Sequence, residues 1–214
     1  MKNKTIVLAS GSERRIKLLK SLGIKFKKVE SHFNETAVIK NYRQKDFKKL
    51  AKVLSLLKVL TVIKKLKGNE IVLGFDTIVV CKNKIIDKPK NKKDALKKLL
   101  FLSNKSHKVY TGICLMDLKK RKTILDFDVT TVHMKKITKA EAISYIKTRE
   151  PFGKAGAYAI QGKGKKFIKK IKGDYYNVVG LPVRKLKLGL SLFRGKSQGK
   201  PNNNGNINNV KYSS

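Results

Sequence analysis

A chain of 214 residues is long enough for one sizeable α/β domain or two small lobes around a real core. Its 52 Lys and Arg against 14 Asp and Glu give a formal net charge of +38, which predicts nonspecific polyanion binding at low salt. The basic residues are scattered over every segment, aromatics make up 7%, and no zinc-finger or RNP-like pattern occurs, which argues against a specific nucleic-acid partner.

Residues 6–9 read as a short buried strand, too short for a signal-peptide core, and no apolar run approaches membrane-spanning length. The expectation is a soluble cytoplasmic protein without a membrane partner. Ser10, Gly11 and Ser12 form a turn, and Ile16, Leu18, Leu19 and Leu22 give the apolar face of a helix that stops near Gly23. Residues 25–30 alternate like a half-buried strand and 32–36 read as a loop. A long helix is predicted over 42–66, stopped by Lys67, Gly68 and Asn69. Residues 71–75 read as a buried strand that continues in β-rich residues through Cys81. A turn at 82–84, a short helix over 94–102, strands over 109–118 and 124–134, and a capping box from Thr138 to Glu141 follow. After a Gly-rich stretch over 153–164, a last helix spans 182–193. From Gly195 onward the composition collapses into Asn, Gly, Ser and Lys, so 1–194 is read as the domain and 195–214 as a disordered tail. Cys81 and Cys114 lie in apolar runs and are expected as buried free thiols. Alternation of strands and helices, with hairpins in the middle, predicts a mixed-sheet α/β fold.

The chemistry-bearing residues each admit two readings. Arg14 and Arg15 follow the Ser-Gly-Ser turn at a helix N-terminus, where free N–H groups and guanidinium forks make a phosphate site; solvated surface arginines are the alternative of equal weight. Asp76, after an apolar run and a glycine, suits a metal ligand or a base for an attacking water, or else a strand-end turn cap. Glu35 reads as a second metal carboxylate or a turn residue. Lys88 reads as a phosphate-binding ammonium or a solvent-facing one, and Lys58 as a pocket lysine or one snorkelling along its helix. Gln161 carries a donor and an acceptor suited to a base edge, in a stretch of small residues that otherwise forms a tight turn. His32, His107 and His133 are isolated and receive no role. Tyr175 and Tyr176 read better as core than as base-stacking residues.

Taken in order, the motifs resemble the Maf-like nucleoside triphosphate pyrophosphatases. They are Leu8-Ala9-Ser10-Gly11-Ser12 with Arg14-Arg15; Gly74-Phe75-Asp76-Thr77; Lys88-Pro89; Val109-Tyr110-Thr111-Gly112; Glu150-Pro151 with 154–162; and Tyr176-Asn177-Val178-Val179-Gly180-Leu181-Pro182. The resemblance implies an α/β fold with a twisted mixed sheet flanked by helices, two-lobed, with a central nucleotide cleft. It implies hydrolysis of a nucleoside triphosphate to monophosphate and pyrophosphate with a divalent metal cation, Mg2+ or Mn2+. Asp76 would be the general base, with Glu35 and Asp76 at the metal. Arg14, Arg15, Lys58, Lys88, Ser10 and Ser12 would hold the triphosphate. Arg14, Thr77 and Gln161 stand at the specificity positions of the dTTP/UTP branch, so pyrimidine nucleotides are the expected substrates. The alternatives are 7-methyl-GTP or another noncanonical nucleotide, or a catalytically weak basic protein that binds nucleic acid. A homodimer is common in that family. The chain departs from the family pattern at Glu13, Asn34, Phe75, Asp87 and Gly153.

Overall fold

The computed structural model describes residues 4–42 and 44–194; the expected disordered tail lies outside the described residues. Seven strands form one mixed sheet: β1 (Ile6–Leu8), β2 (Lys27–Lys28), β3 (Ile71–Cys81), β4 (Lys84–Ile85), β5 (Ser106–Asp117), β6 (Lys122–Met134) and β7 (Ile168–Lys172). Their order is β2-β1-β3-β5-β6-β7, with β4 paired to the far end of β3. β1 runs parallel to both β2 and β3, whereas β3, β5, β6 and β7 are successively antiparallel.

Side chains alternate across a strand, so β3 separates two sets of partners. Leu73 and Phe75 pack under α1 (Glu13–Ser21) and α7 (Val183–Arg194), in a cluster with Leu19, Leu115, Leu186 and Phe193. Farther along the same face, Val79 and Cys81 join a second cluster built on α4 (Lys92–Leu102) and α5 (Lys139–Lys147). These two clusters are the cores of the two expected lobes, and β3, β5 and β6 run through both. The other face, carrying Val72, Ile78 and Val80, is covered by α3 (Phe47–Ile63). The helix lies close because Gly74 and Gly112 face it: a Cβ on Gly112 would meet the Ala51 carbonyl, and one on Gly74 the Ser55 carbonyl.

The helix expected over 42–66 is shortened to α3, and a separate helix, α2 (Glu35–Asn41), precedes it. Asn34 caps α2 by accepting from the Ala37 N–H at 2.9 Å, and Asp46 caps α3 by accepting from the Lys49 N–H at 3.0 Å. The loop expected at 32–36 therefore contains a helix start. The strand expected over 25–30 shrinks to the two exposed residues of β2. The capping box is present, with Glu141 N–H donating to Thr138 Oγ1 and Thr138 N–H to Glu141 Oε2. Besides α2, the edge strand β7 and α6 (Tyr175–Val179) were not foreseen; α6 ends at Gly180 in the left-handed region with φ 104°. Tyr175 packs partly against the α1/α7 cluster, but Tyr176 is exposed rather than core. Cys81 and Cys114 are buried free thiols. No helix among the described residues is long and apolar enough to cross a membrane.

Candidate active site

The site begins with a gap in the sheet. β1 pairs with β3 only as far as Leu73, and β4 takes up pairing at Val80. Between them one edge of β3 has no strand neighbour, and at that gap Asp76 and Thr77 project to opposite faces. Asp76 thus sits inside one continuous strand rather than at a strand end, just beyond where the parallel partner stops. A cleft of about 410 Å³ opens there, lined by the Ser10–Ser12 turn, α1 and α3 on one side and by Lys154, Ala155 and Tyr158 on the other.

On the α3 face, packing at Gly74 and Gly112 sets Lys58 over Asp76, with Nζ 3.0 Å from Asp76 Oδ1. The same ammonium donates to Glu35 Oε1 at 2.6 Å, and Lys88 donates to Glu35 Oε2 at 2.9 Å. A carboxylate–ammonium–carboxylate–ammonium chain results. Burial raises the Asp76 carboxyl pKa, and Glu35 raises it further, while Lys58 and Arg15 pull it back. Glu35 is the opposite case. Burial pushes it up, but Lys58 and Lys88 together outweigh burial and hold it down at about 2.

That depression has a sign. Relative to an unfolded value near 4.5, the Glu35 ion pairs stabilise the fold above about pH 4.5, and the contribution is lost as pH falls from there to about 2. Urea midpoints measured across this window should fall less steeply for Glu35→Gln than for the native chain. Parallel curves would contradict the ion-pair chain.

On the Thr77 face, α1 enters from the Ser10–Ser12 turn. Ser12 occupies its N-cap without a side-chain cap bond, and the Ser12 N–H donates to Ser10 Oγ at 3.2 Å. Arg15 is buried. Its Nε donates to Gly180 O at 2.8 Å, Nη2 to Thr77 Oγ1 at 3.0 Å and Nη1 to Ser10 Oγ at 3.3 Å. Burial lowers its pKa to about 10, which leaves it fully charged at neutral pH. Arg14, partly buried toward Tyr158, is also lowered by burial and lines the same cleft.

The structure therefore gathers Ser10, Ser12, Arg14, Arg15, Glu35, Lys58, Asp76, Thr77 and Lys88 around one cleft. Gln161 is not among the lining residues: it is exposed, one position beyond Ile160, which does line the cleft. Its turn is held by Glu150, whose carboxylate accepts from the Lys163 and Gly164 N–H groups and from Tyr145 Oη. Sequence reasoning missed Glu30, Ser31, Lys154 and Tyr158 as lining residues. Tyr158 is oriented by a 2.8 Å hydrogen bond to buried His107, a residue that had no assigned role.

The departures from the motif pattern have local reasons. Asn34 caps the helix that carries Glu35. Asp87 pairs with Lys98 at 2.6 Å, and Phe75 fills the α1/α7 core. Glu13 occupies the first turn of α1, where its charge suits the helix dipole, at the rim of the cleft. Gly153 takes φ 73°, a conformation that suits glycine.

A family model described as "Maf-like protein" matches residues 5–192. A protein named dTTP/UTP pyrophosphatase from Thermoanaerobacter sp. (strain X514) is 45% identical over 181 residues, covering 85% of this chain and 92% of that one. The protein of that name from Alkaliphilus metalliredigens (strain QYMF) is 47% identical over 182 residues, with 85% and 92% covered. The one from Caldicellulosiruptor saccharolyticus is 41% identical over 201 residues, with 90% and 99% covered. Among solved structures, a nucleoside-triphosphatase / dITP/XTP pyrophosphatase from Mycobacterium abscessus aligns at TM-score 0.39 and 12% identity. It covers 89% of this chain and 93% of that one, a likeness too distant to carry an assignment.

Proposed function

Because this chain belongs to the Maf-like protein family, we propose that it hydrolyses dTTP and UTP to the monophosphate and pyrophosphate by water attack on the α-phosphate. The observation that supports this most is the pairing of a buried carboxylate of raised pKa, Asp76, with Arg15, Lys58 and Lys88 around one cleft. Phosphoryl transfer needs positioning and charge neutralisation more than covalent help, and this cleft supplies cations. Asp76 accepts the proton of the attacking water, a role favoured by a pKa nearer the working pH. Arg14, Arg15, Lys88 and the open N-terminus of α1 hold the triphosphate. Lys58 bridges Asp76 and Glu35 and keeps both carboxylates turned toward the cleft.

Glu35 and Asp76 converge on a single cationic point, the Lys58 ammonium, at 2.6 and 3.0 Å. Two carboxylates suit a hard divalent ion that takes its other oxygens from water and phosphate, so Mg2+ or Mn2+ fits this donor set. Bound by these carboxylates beside Lys58, it would neutralise charge developing on the phosphates.

The pyrimidine assignment rests on the relatives' names and on Arg14, Thr77 and Gln161. Gln161 would reach a base only by turning in from its exposed position. The test is pyrophosphate release from a panel of nucleoside triphosphates with Mg2+. The native chain should favour dTTP and UTP, and Gln161→Ala should narrow that preference several-fold while leaving release from the other nucleotides near its native rate. Release confined to purine or methylated-guanine nucleotides would overturn the substrate assignment and leave the reaction standing.

A further inference from the structure

Arg15 has five N–H donors. Three are used by Gly180 O, Ser10 Oγ and Thr77 Oγ1, which leaves two, one on each terminal nitrogen, for an anion in the cleft. What holds that fork in plane lies outside the cleft. Thr77 Oγ1 is 3.0 Å from Thr111 Oγ1, its register partner on β5, and Thr111 Oγ1 donates to Asn177 O at 3.0 Å. Asn177 is itself fixed, with Nδ2 donating to Val109 O at 3.0 Å and to Thr130 Oγ1 at 2.9 Å. Thr111 and Asn177 are both fully buried, and neither lines the cleft.

The direction of the hydrogen bonds follows from counting protons. A hydroxyl has one. Thr111 gives its proton to the Asn177 carbonyl, so between the two threonines Thr77 is the donor. Thr77 then accepts from Arg15 and donates to Thr111, and it has no proton left to give a bound nucleotide. The line runs one way, from Arg15 through Thr77 and Thr111 to Asn177. Gly180, the C-cap of the same short helix α6, takes the Arg15 Nε–H.

We infer that Thr111 and Asn177 are positioning residues that lock the Arg15 guanidinium through Thr77 and so set its grip on the phosphates. This rests on the pyrophosphatase reading for its kinetic consequences but not for its structural ones. Thr111→Val keeps the side-chain shape and removes both hydrogen bonds. It should lower kcat/KM for dTTP, UTP and every other nucleotide in the panel by one common factor of about tenfold. It should weaken inhibition by inorganic pyrophosphate to a similar degree and leave the order of substrates unchanged. Thr111→Ser, which restores the hydroxyl, should recover most of the loss. The double variant Thr77→Val with Thr111→Val should lose no more than Thr77→Val alone, because both sit on one line.

A second readout does not depend on activity. In the native protein the Arg15 terminal N–H protons should give separate, slowly exchanging NMR signals, and these should merge or broaden in Thr111→Val and return in Thr111→Ser. If the native chain releases no pyrophosphate from any nucleotide, the functional reading fails and the NMR comparison alone decides the inference. If Thr111→Val does not fold, Thr77→Val carries the same kinetic and NMR tests. Unchanged guanidinium signals in the folded variant would overturn the inference. So would a loss in Thr111→Val confined to one class of nucleotide, which would place its effect at the base and not at the Arg15 grip on the phosphates.

Discussion

Asp76→Asn is expected to lower pyrophosphate release by about 10²- to 10⁴-fold, the range over which a positioned general base contributes. The substitution preserves shape, and the amide oxygen can still accept from Lys58, so the cleft should keep its form and KM should move little. What is lost is the carboxylate proposed to take a proton from water. The same carboxyl shapes the pH dependence. Burial holds its pKa above the ordinary carboxylate value of 3.8, and the base works only when ionised. The native rate should therefore fall as pH drops through that raised value, on a limb displaced upward from the usual carboxylate range. Steady-state rates from pH 4 to 9 read both effects, and a near-native rate in Asp76→Asn would remove Asp76 from the chemistry.

Gly112→Ala should produce the largest combined loss of stability and activity from a single added methyl group. Gly112 is the register partner of Asp76, and its Cα faces α3. A Cβ there would run into the Ala51 carbonyl and come within 2.8 Å of the Lys52 nitrogen. These are backbone atoms in the middle of a helix, so no rotamer change relieves the clash and α3 must move as a body. Overpacking of this kind costs about 1–3 kcal/mol, and rigid obstacles lie at the upper end. Movement of α3 also takes Lys58 away from Asp76 and Glu35. The expected result is a lower urea midpoint together with a fall in kcat for the protein that remains folded. Native values of both would mean that α3 has room to spare and does not set the Lys58 position.

The parts of the fold visible in the sequence are those with strong periodicity. The buried strands around Leu8 and Leu73, the hairpin of β5 and β6, the long apolar helix over Asp76 and the Thr138–Glu141 cap all carry local signals that tertiary packing does not override. α2 was invisible because it is short and buries no residue fully: only Val38 and Ile39 pack partly against the α3 cluster, and the Asn34 cap is its one clear signal. β7, with Ile168 and Ile171 three apart among lysines, shows neither strand nor helix periodicity, and its pairing with β6 decides its conformation. The site was legible in a different way. Single residues such as Asp76 and Arg15 were ambiguous, and only the order of several motifs pointed to one cleft. What no local pattern could show is how the cleft is supported. Thr111 and Asn177 lie within recognisable motifs, but their line to Arg15 spans β3, β5, α6 and α1. Gln161, read as a base-edge residue, is exposed in a turn tied to Glu150, so its part in specificity depends on substrate contact.

The central claim, that water attacks the α-phosphate beside Asp76, is tested most directly by hydrolysing dTTP in ¹⁸O-enriched water with Mg2+ and analysing both products by mass. Label in the thymidine monophosphate and none in the pyrophosphate is the expected result. Label in the pyrophosphate would place the attack on the β-phosphate, and release of orthophosphate with thymidine diphosphate would place it on the γ-phosphate; either would contradict the assignment.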